Sequence, residues 1–336
     1  MKRNMHQWLD ELIAAKIKKP LPILSFPCIQ LMGITVKDLI SDSDNQANGM
    51  KMIADKTASA AAVSLMDLSL EAECFGSVIR VSDDEVPAVV GSIVSDMDSA
   101  NALKVPPIGA GRTAIYLEAA GKAVQMISDR PVFGGTIGPF SLTGRIVGVS
   151  ESMLYCYDES EMMHTVLLKA AEFLIAYIKE YKKAGANGVI MAEPLTGLLS
   201  PDLAREFSEP YVRKINKAVQ DENFIVIYHN CGGATIQMID SILNTGADAY
   251  HFGNTIDMAE MMKYIPENTV AMGNIEPAGQ FRNGSPESIR EATVDLLKKC
   301  STYPNFVISS GCDIPPLSGW ANIEAFFAAV QEFYAV

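Results

Sequence analysis

The sequence predicts an α/β fold, a (β/α)8 barrel of the TIM type, in a single domain over residues 1–336. Short β-branched runs alternate with long amphipathic segments from about residue 20 to the C-terminus, a pattern typical of parallel strands joined by helices. Eight such units follow one another without a repeated glycine fingerprint, which favours a barrel over a doubly wound sheet. The predicted strands are residues 21–26, 61–66, 132–136, 188–192, 224–229, 247–252, 270–273 and 306–310.

Several connecting elements have recognisable sequences. Residues 201–219 carry an apolar stripe at four-residue spacing, which predicts a helix packed on the sheet. Residues 285–299 open with Ser-Pro-Glu, which is an N-cap followed by proline at the first helical position. A helical extension is predicted for about residues 1–19, and segments 82–99 and 134–139 are expected to form loops over the mouth of the barrel.

The composition excludes several classes of protein. With 27 basic and 40 acidic side chains the chain carries a net charge of −13 and has no basic stripe, so we expect neither nucleic acid nor an anionic membrane as a partner. The first ten residues turn charged before an apolar segment develops, and no run approaches the ~18 apolar residues of a membrane span. The six scattered cysteines fit a reducing compartment. The sequence therefore predicts a cytoplasmic protein.

Two predicted strands end in residues that bind soft metals. His229 and Cys231 stand at the end of one strand, and Cys312 follows the last strand. Alternate residues of a strand face the same side, so His229 and Cys231 can point at one ion, and parallel strands bring Cys312 to the same edge. The simpler alternative is one buried histidine with two core cysteines. One imidazole, two thiolates and a free fourth position are typical of a catalytic zinc.

Other polar residues follow the same strand ends. Glu193 precedes a proline and is either a carboxylate of a surface turn or one at the mouth, where it would be a general base, an acceptor of a hydrogen bond from the substrate, or an outer partner of the metal. We predict a catalytic role for it. Glu71, Asn274 and Ser310 are candidate substrate-binding residues, although acids in a loop, such as Glu71, more often form a solvated face. His251 is expected to be a structural histidine.

With these residues in place, the chain resembles the uroporphyrinogen decarboxylase superfamily over nearly its whole length. The matching segments are Leu-Leu-Ser-Pro-Asp at 198–202 with Pro-Tyr at 210–211, His-Asn-Cys-Gly-Gly at 229–233, Gly-Asn-Ile-Glu-Pro at 273–277, and Ser-Gly-Cys-Asp-Ile-Pro-Pro at 310–316 with Asn322 and Ile323. With Leu-Glu-Ala-Glu-Cys-Phe-Gly at 70–76, the chain looks most like the zinc-dependent methylcobamide:coenzyme M methyltransferases. That resemblance implies a TIM barrel, zinc held by His229, Cys231 and Cys312, and a corrinoid protein as partner.

Two departures from related families bear on function. Uroporphyrinogen decarboxylases carry an arginine-rich segment after the first strand, whereas residues 26–33 contain no arginine. An octa-anionic tetrapyrrole would then find no compensating cations at the mouth, so its decarboxylation is disfavoured. Cobalamin-independent methionine synthase has a glutamate ligand where Gly253 stands. The fourth zinc position is left to water, to substrate or to His251, which strand alternation places on the same face.

The resemblance implies a zinc-dependent methyl transfer. A thiol such as coenzyme M would enter the open zinc position, which lowers its pKa, and the thiolate would attack the methyl group of methylcobalamin or a related methylated corrinoid, with Co(I) as the leaving group. Two alternatives stay open. One is methyl transfer to another acceptor, homocysteine or a tetrahydropterin, and the other is a non-catalytic corrinoid-binding protein in which the zinc is structural.

Overall fold

The computed structural model describes residues 2–335, at whose centre lies a curled parallel sheet. The predicted domain ends, residues 1 and 336, lie outside this range. Seven strands stand side by side in the order in which the chain forms them, and a two-stranded antiparallel hairpin is separate from them. The strands are β1 (Ala62–Val63), β2 (Val78–Arg80), β3 (Ala88–Val90), β4 (Val132–Ile137), β5 (Gly188–Ala192), β6 (Ile225–Asn230), β7 (Ala249–Phe252), β8 (Val270–Ile275) and β9 (Phe306–Ser310).

Helices alternate with the strands of the sheet along the chain, which confirms the predicted α/β class. Within residues 2–335 no helix has the length and apolar character needed to cross a membrane. Two 3-10 helices, Leu195–Leu198 and Ile236–Met238, and a π-helix, Pro277–Arg282, lie in the connections. The α-helices are α1 (Met5–Ala14), α2 (Cys28–Met32), α3 (Val36–Ser41), α4 (Ser43–Lys56), α5 (Leu70–Cys74), α6 (Met97–Ala102), α7 (Thr113–Met126), α8 (Pro139–Val147), α9 (Val149–Asp158), α10 (Ser160–Lys183), α11 (Pro201–Phe207), α12 (Glu209–Val219), α13 (Ile239–Asn244), α14 (Met258–Met261), α15 (Pro286–Cys300) and α16 (Trp320–Tyr334).

Alternate residues of the strands fill the interior of the curled sheet. Ile190, Ile227 and Val307 belong to one buried apolar cluster, and Met5 of α1 joins it. Helix α1 approaches from the amino-terminal ends of the strands, because the Met5 amide donates to the carbonyl of Glu222, just before β6. Apolar packing therefore closes this end of the interior and leaves the carboxyl ends of the strands for polar chemistry.

The first predicted strand, residues 21–26, is not a regular strand. Its backbone nevertheless joins both edges of the sheet. The Leu21 amide donates to a carbonyl of β9 at 3.0 Å, and the Pro20 carbonyl accepts from Ala60, just before β1, at 2.8 Å. The Ile23 amide, two residues further on, donates to the side-chain hydroxyl of Ser310 in β9 and so interrupts the ladder. Among residues 2–335 the sheet therefore has seven strands rather than the predicted eight.

Three other predicted elements differ for local reasons. The helix predicted over residues 201–219 is two helices, α11 and α12, which break at Ser208 because Pro210 has no N–H and starts a new first turn. Residues 134–139, predicted as a loop, belong to β4 and to the start of α8. Segment 82–99, also predicted as a loop, contains β3 and the start of α6.

Candidate metal centre

The strand endings predicted to bind metal meet at one point. His229 is the penultimate residue of β6, Cys231 follows that strand directly, and Cys312 lies two residues beyond β9. One ligand atom from each of the three side chains lies within 4.8 Å of the others. The structure thus brings together the three residues that the sequence selected.

A chain of hydrogen bonds orients the imidazole of His229. Its Nδ1 lies 2.8 Å from Nδ1 of His251, and Nε2 of His251 lies 2.7 Å from the Ser309 hydroxyl. That hydroxyl donates to the Leu21 carbonyl at 2.7 Å. Since a carbonyl only accepts, the single proton of the Ser309 hydroxyl is committed, and the hydroxyl accepts from a protonated Nε2 of His251.

The same chain determines which nitrogen of His229 is free. Burial lowers the pKa of His251 well below its usual value, so this residue is neutral. Protonated at Nε2, it accepts at Nδ1 from a protonated Nδ1 of His229, an assignment that follows from the hydrogen-bond network. In the neutral tautomer with its proton on Nδ1, Nε2 of His229 is the bare nitrogen, and this atom is buried and has no hydrogen-bond partner within residues 2–335. A metal ion is the ligand that such a nitrogen fits.

The two sulfur atoms of the site form a coupled pair. A hydrogen bond from the Cys312 thiol lowers the pKa of Cys231, and the same hydrogen bond, with burial, raises the pKa of Cys312 to about 12. The pair shares a proton that a metal ion would displace. A bare imidazole nitrogen and two sulfur atoms are ligands that zinc prefers, so the residues present fit a zinc ion.

His251 lies behind His229 rather than beside a free coordination position. Both of its ring nitrogens are hydrogen-bonded, one to His229 and one to Ser309. In this arrangement it orients a ligand, as outer partners of metal sites commonly do. His251 as the fourth zinc ligand remains a prediction, which this hydrogen bonding disfavours.

Glycines let the neighbouring loops close around the ligands. A Cβ atom at Gly253 would lie 2.5 Å from both Cα and Cβ of Cys231, so the loop after β7 rests directly on this residue. A Cβ atom at Gly232 would lie 2.3 Å from the Cα of Gly197, after β5. The Asn230 side chain accepts from the Gly232 amide at 2.9 Å and fixes the turn. A glutamate in place of Gly253 would have no room here.

Glu193 is buried and caps a helix. Its residue surface is 0% exposed, so the surface-turn alternative is wrong. One carboxylate oxygen accepts from the Phe140 amide at 2.8 Å, and the other accepts from the amide and hydroxyl of Ser141 at 2.8 and 2.6 Å. These groups begin α8, whose N-cap Gly138 has no side chain. Burial raises the pKa of Glu193 to about 7, and its catalytic role stays a prediction.

Two of the candidate substrate-binding residues hold the framework of the mouth. The Ser310 hydroxyl accepts from the Ile23 amide at 3.0 Å. The Asn274 side chain donates to the carbonyls of Gly253 and Ile256, each at 2.9 Å, and so holds the loop that rests on Cys231. Both residues are buried. Their role in substrate binding stays a prediction.

Glu71, the third candidate, is a fully buried carboxylic acid, so the expectation of a solvated face is wrong. One oxygen accepts from the Thr136 hydroxyl and the Ile137 amide at 2.9 and 3.1 Å, and the other has no hydrogen-bond partner within residues 2–335. Burial raises the pKa of Glu71 from 4.5 to about 7. Its part in substrate binding likewise stays a prediction.

The raised pKa of Glu71 predicts a pH-dependent loss of stability. Because the unfolded chain ionises first, folding stability falls as the pH rises from about 4.5 through about 7. The variant Glu71→Gln cannot ionise, so its free energy of unfolding relative to the native protein should rise by about 2 kcal/mol between about pH 5 and about pH 8. Urea unfolding at the two pH values measures this change. A difference that is the same at both pH values would contradict it.

A wider cleft lies above the candidate metal site. The three candidate ligands line a cavity of about 70 Å³. Met66, Leu68 and Asp313 line both this cavity and a cleft of about 490 Å³ beneath the β2–β3 hairpin, so the two spaces adjoin. Arg145 of α8 and Arg282 of the π-helix also line the cleft. The sequence prediction missed both arginines, and its expectation of a mouth without cations is wrong.

The chain matches known proteins along most of its length. The family described as uroporphyrinogen decarboxylase (URO-D) matches residues 26–333. Methylcobamide:CoM methyltransferase MtbA of Methanosarcina acetivorans is 26% identical over 277 residues, which are 80% of this chain and 78% of that protein. Uroporphyrinogen decarboxylase of Coxiella burnetii is 27% identical over 285 residues, which are 81% of this chain and 77% of that protein.

Solved structures share the fold. A methyltransferase from Methanosarcina mazei has a TM-score of 0.85 at 21% identity, and the match covers 98% of this chain and 99% of that one. A B12-independent methionine synthase from Shewanella sp. W3-18-1 has a TM-score of 0.64 at 12% identity, over 96% and 97% of the two chains. At these identities the likeness concerns the fold alone. The family match over residues 26–333 shows that the chain belongs to the uroporphyrinogen decarboxylase family.

Proposed function

We propose that this chain is a zinc-dependent methyltransferase that moves a methyl group from a methylated corrinoid, carried by a partner protein, to a thiol acceptor such as coenzyme M. The observation that carries the proposal is the bare, buried Nε2 of His229, in a group of ligand atoms that spans no more than 4.8 Å with the sulfur atoms of Cys231 and Cys312. Three protein ligands leave a position for substrate, as in catalytic zinc sites. Similarity to MtbA, a methylcobamide:CoM methyltransferase, supports the choice of donor and acceptor.

The residues of the site are arranged for this chemistry before a substrate binds. When bound, zinc would lower the pKa of an acceptor thiol so that a thiolate exists at neutral pH. His251 holds His229 in the tautomer that offers Nε2, and the loop at Gly253 holds Cys231 in place. Two thiolates and a neutral imidazole together balance the charge of a Zn²⁺ ion. Met66 and Leu68 give the adjoining space apolar walls that exclude water.

The dimensions of the site support separate places for the two substrates. A cavity of about 70 Å³ next to the ligands has room for the reacting end of a small thiol but not for a corrin ring. We infer that the corrinoid approaches from outside, over the mouth, on its partner protein. Neither nucleic acid nor a membrane has a part in this proposal.

We also propose that the chain is a single closed barrel domain in the cytoplasm. The bonds from Leu21 to β9 and from Ala60 to Pro20 support closure of the seven-stranded sheet into a (β/α)8 barrel by residues 21–26. The apolar cluster that joins α1 to the strands supports a single domain. All six cysteines are free, which supports a reducing location such as the cytoplasm.

Uroporphyrinogen decarboxylation is the second candidate, because the Coxiella burnetii enzyme is about as similar to this chain as MtbA is. Arg145 and Arg282 add two cations to the cleft, which favours an anionic ligand of some kind. Residues 26–33 still contain no arginine, and the candidate metal ligands have no part in holding many carboxylates. The ligand set therefore supports methyl transfer over decarboxylation.

The number of sulfur ligands bound to the zinc ion tests the proposal. X-ray absorption of the zinc-loaded protein should show two sulfur ligands, and three after addition of 2-mercaptoethanesulfonate, homocysteine or 2-mercaptoethanol. The thiol that adds the third sulfur identifies the acceptor class. A four-ligand shell that no thiol changes would indicate structural zinc, as expected for a non-catalytic corrinoid-binding protein. A protein that binds no zinc would overturn the proposal. With an acceptor that has no sulfur, such as a tetrahydropterin, methyl transfer would occur without a change in the zinc ligands.

A further inference from the structure

Two arginines that line the cleft above the cavity of the candidate metal ligands have no partner among the residues that the structure describes. Within residues 2–335, Arg145 and Arg282 form neither a hydrogen bond nor an ion pair, although both line the cleft. Arg80, on the exposed strand β2, is in the same state. Every other arginine in this part of the chain bonds a carboxylate or a backbone carbonyl, namely Arg3, Arg112, Arg130, Arg205, Arg213 and Arg290. Unpartnered arginines are therefore confined to the cleft and the hairpin above it.

Of the two cleft arginines, Arg145 is in the less favourable environment. It is half-buried, and a guanidinium removed from water without a hydrogen bond lowers stability. The acidic residues that line the cleft do not neutralise the charge of Arg145. Asp84 and Glu85 are exposed at the rim, and Asp84 accepts from the Ser82 hydroxyl. Asp313 accepts a hydrogen bond from the Ser25 hydroxyl at 3.4 Å, and within residues 2–335 it pairs with neither arginine.

We propose that Arg145 and Arg282 form a binding subsite for an oxyanion that one of the two methyl-transfer substrates carries. This inference rests on the proposed function. A ligand that reacts at the metal cavity passes Met66 and Leu68, which line both spaces, and its remaining part then lies in the cleft of about 490 Å³ with the two arginines. Guanidinium groups bind sulfonate, carboxylate and phosphate through paired hydrogen bonds.

Either substrate can bring the oxyanion. An acceptor thiol can end in a sulfonate or a carboxylate, whereas 2-mercaptoethanol carries the mercaptoethyl group with a neutral hydroxyl. On the donor side, methylcobalamin carries a phosphodiester in its nucleotide loop, and methylcobinamide lacks it. The chemistry of the subsite is the same in both cases, so substrates with and without the anion identify the source.

The kinetic test uses the zinc-loaded enzyme and four substrate pairs. Methylcobalamin or methylcobinamide is the donor, and 2-mercaptoethanesulfonate or 2-mercaptoethanol is the acceptor. Arg145→Gln should lower the kcat/KM ratio between anionic and neutral partners about 10- to 100-fold, the effect of losing a charged hydrogen bond. A fall in the sulfonate-to-neutral ratio assigns the oxyanion to the acceptor, and a fall in the cobalamin-to-cobinamide ratio assigns it to the donor. Equal effects on all four pairs, or none, would overturn the subsite.

Two further variants separate binding from folding and from net charge. Arg282 is exposed, so Arg282→Gln leaves the packing intact and should lower the same ratio as Arg145→Gln. Arg80→Gln is the matched control, because it removes one unpartnered positive charge from the hairpin at a residue outside the cleft lining. It should leave the ratio unchanged. A fall of equal size in Arg80→Gln would mean that general charge, rather than a subsite, attracts the anion.

Anion binding to the metal-free protein gives a readout that does not require methyl transfer. Ethanesulfonate, which has no thiol, and cyanocobalamin, compared with dicyanocobinamide, are titrated by calorimetry. Either ethanesulfonate or cyanocobalamin, through its phosphodiester, should bind the native protein about 10- to 100-fold more tightly than it binds either cleft variant. Its affinity for Arg80→Gln should match that for the native protein. Equal affinities for native and cleft-variant proteins would overturn the inference. Anion binding in a protein that transfers no methyl group would retain the subsite and reject the proposed function.

Discussion

Replacing Cys312 with serine is expected to remove zinc binding and methyl transfer together. The serine hydroxyl stays protonated at neutral pH, so the site loses one of its three ligands. Loss of an outer partner alone lowers metal affinity about 10- to 100-fold, and loss of a ligand should exceed that range. Zinc content after dialysis, zinc affinity by competition with a chelator, and demethylation of methylcobalamin measure the effect.

Cys74→Ser is the matched control for this variant. Cys74 is partly exposed, as Cys312 is, and its sulfur donates to the Ala110 carbonyl at 3.0 Å, a bond that a serine hydroxyl can keep. Zinc content and activity should stay near those of the native protein. Full activity in a zinc-free Cys312→Ser protein would reject the catalytic role of the metal.

Gly253→Ala is expected to weaken zinc binding although residue 253 supplies no ligand. The added Cβ would lie 2.5 Å from Cα and Cβ of Cys231, a separation that real Cβ atoms do not adopt, so either the loop or the ligand must move. Such overpacking typically costs about 1–3 kcal/mol of stability. A displaced ligand should also lower zinc affinity about 10-fold or more. Thermal unfolding and chelator competition report the two effects separately.

Gly233→Ala is the control within the same run of sequence. A Cβ atom at Gly233 would meet nothing within 4 Å, and neither glycine has a positive φ, so the two variants differ in steric contact alone. The control should change stability by less than about 0.5 kcal/mol and leave zinc affinity unchanged. If Gly253→Ala behaved in the same way, contact between the two loops would not position Cys231.

The three candidate metal ligands were predictable because they depend on local rules. Strand alternation placed His229 and Cys231 on one face, and the parallel arrangement of strands brought Cys312 to the same edge. Helix α15 was predictable for a similar reason, since its Ser285 cap and the proline that follows are adjacent in sequence. Such features need only the residue types within a few positions of one another.

The features that the sequence did not predict depend on contacts between residues that are far apart in the sequence. The burial of Glu193 follows from its bonds to the first turn of α8, and the importance of Gly253 follows from the approach of Cys231. Arg145 became informative only when the structure showed that no acid within residues 2–335 pairs with it, and Ile23 left the strand ladder because its amide donates to a serine hydroxyl. None of these pairings has a signature in local composition or spacing.

The chain of hydrogen bonds behind His229 also bears on when the proposed metal would be acquired during synthesis. Its two last members, Leu21 and Ser309, are 288 positions apart in the sequence, and Cys312 comes later still. A growing polypeptide therefore holds His229 and Cys231 long before the groups that complete their surroundings have left the ribosome. In the proposed metalloenzyme, metal uptake would therefore wait until Ser309 and Cys312 have been synthesised, and a product terminated before them would remain a metal-free apoprotein.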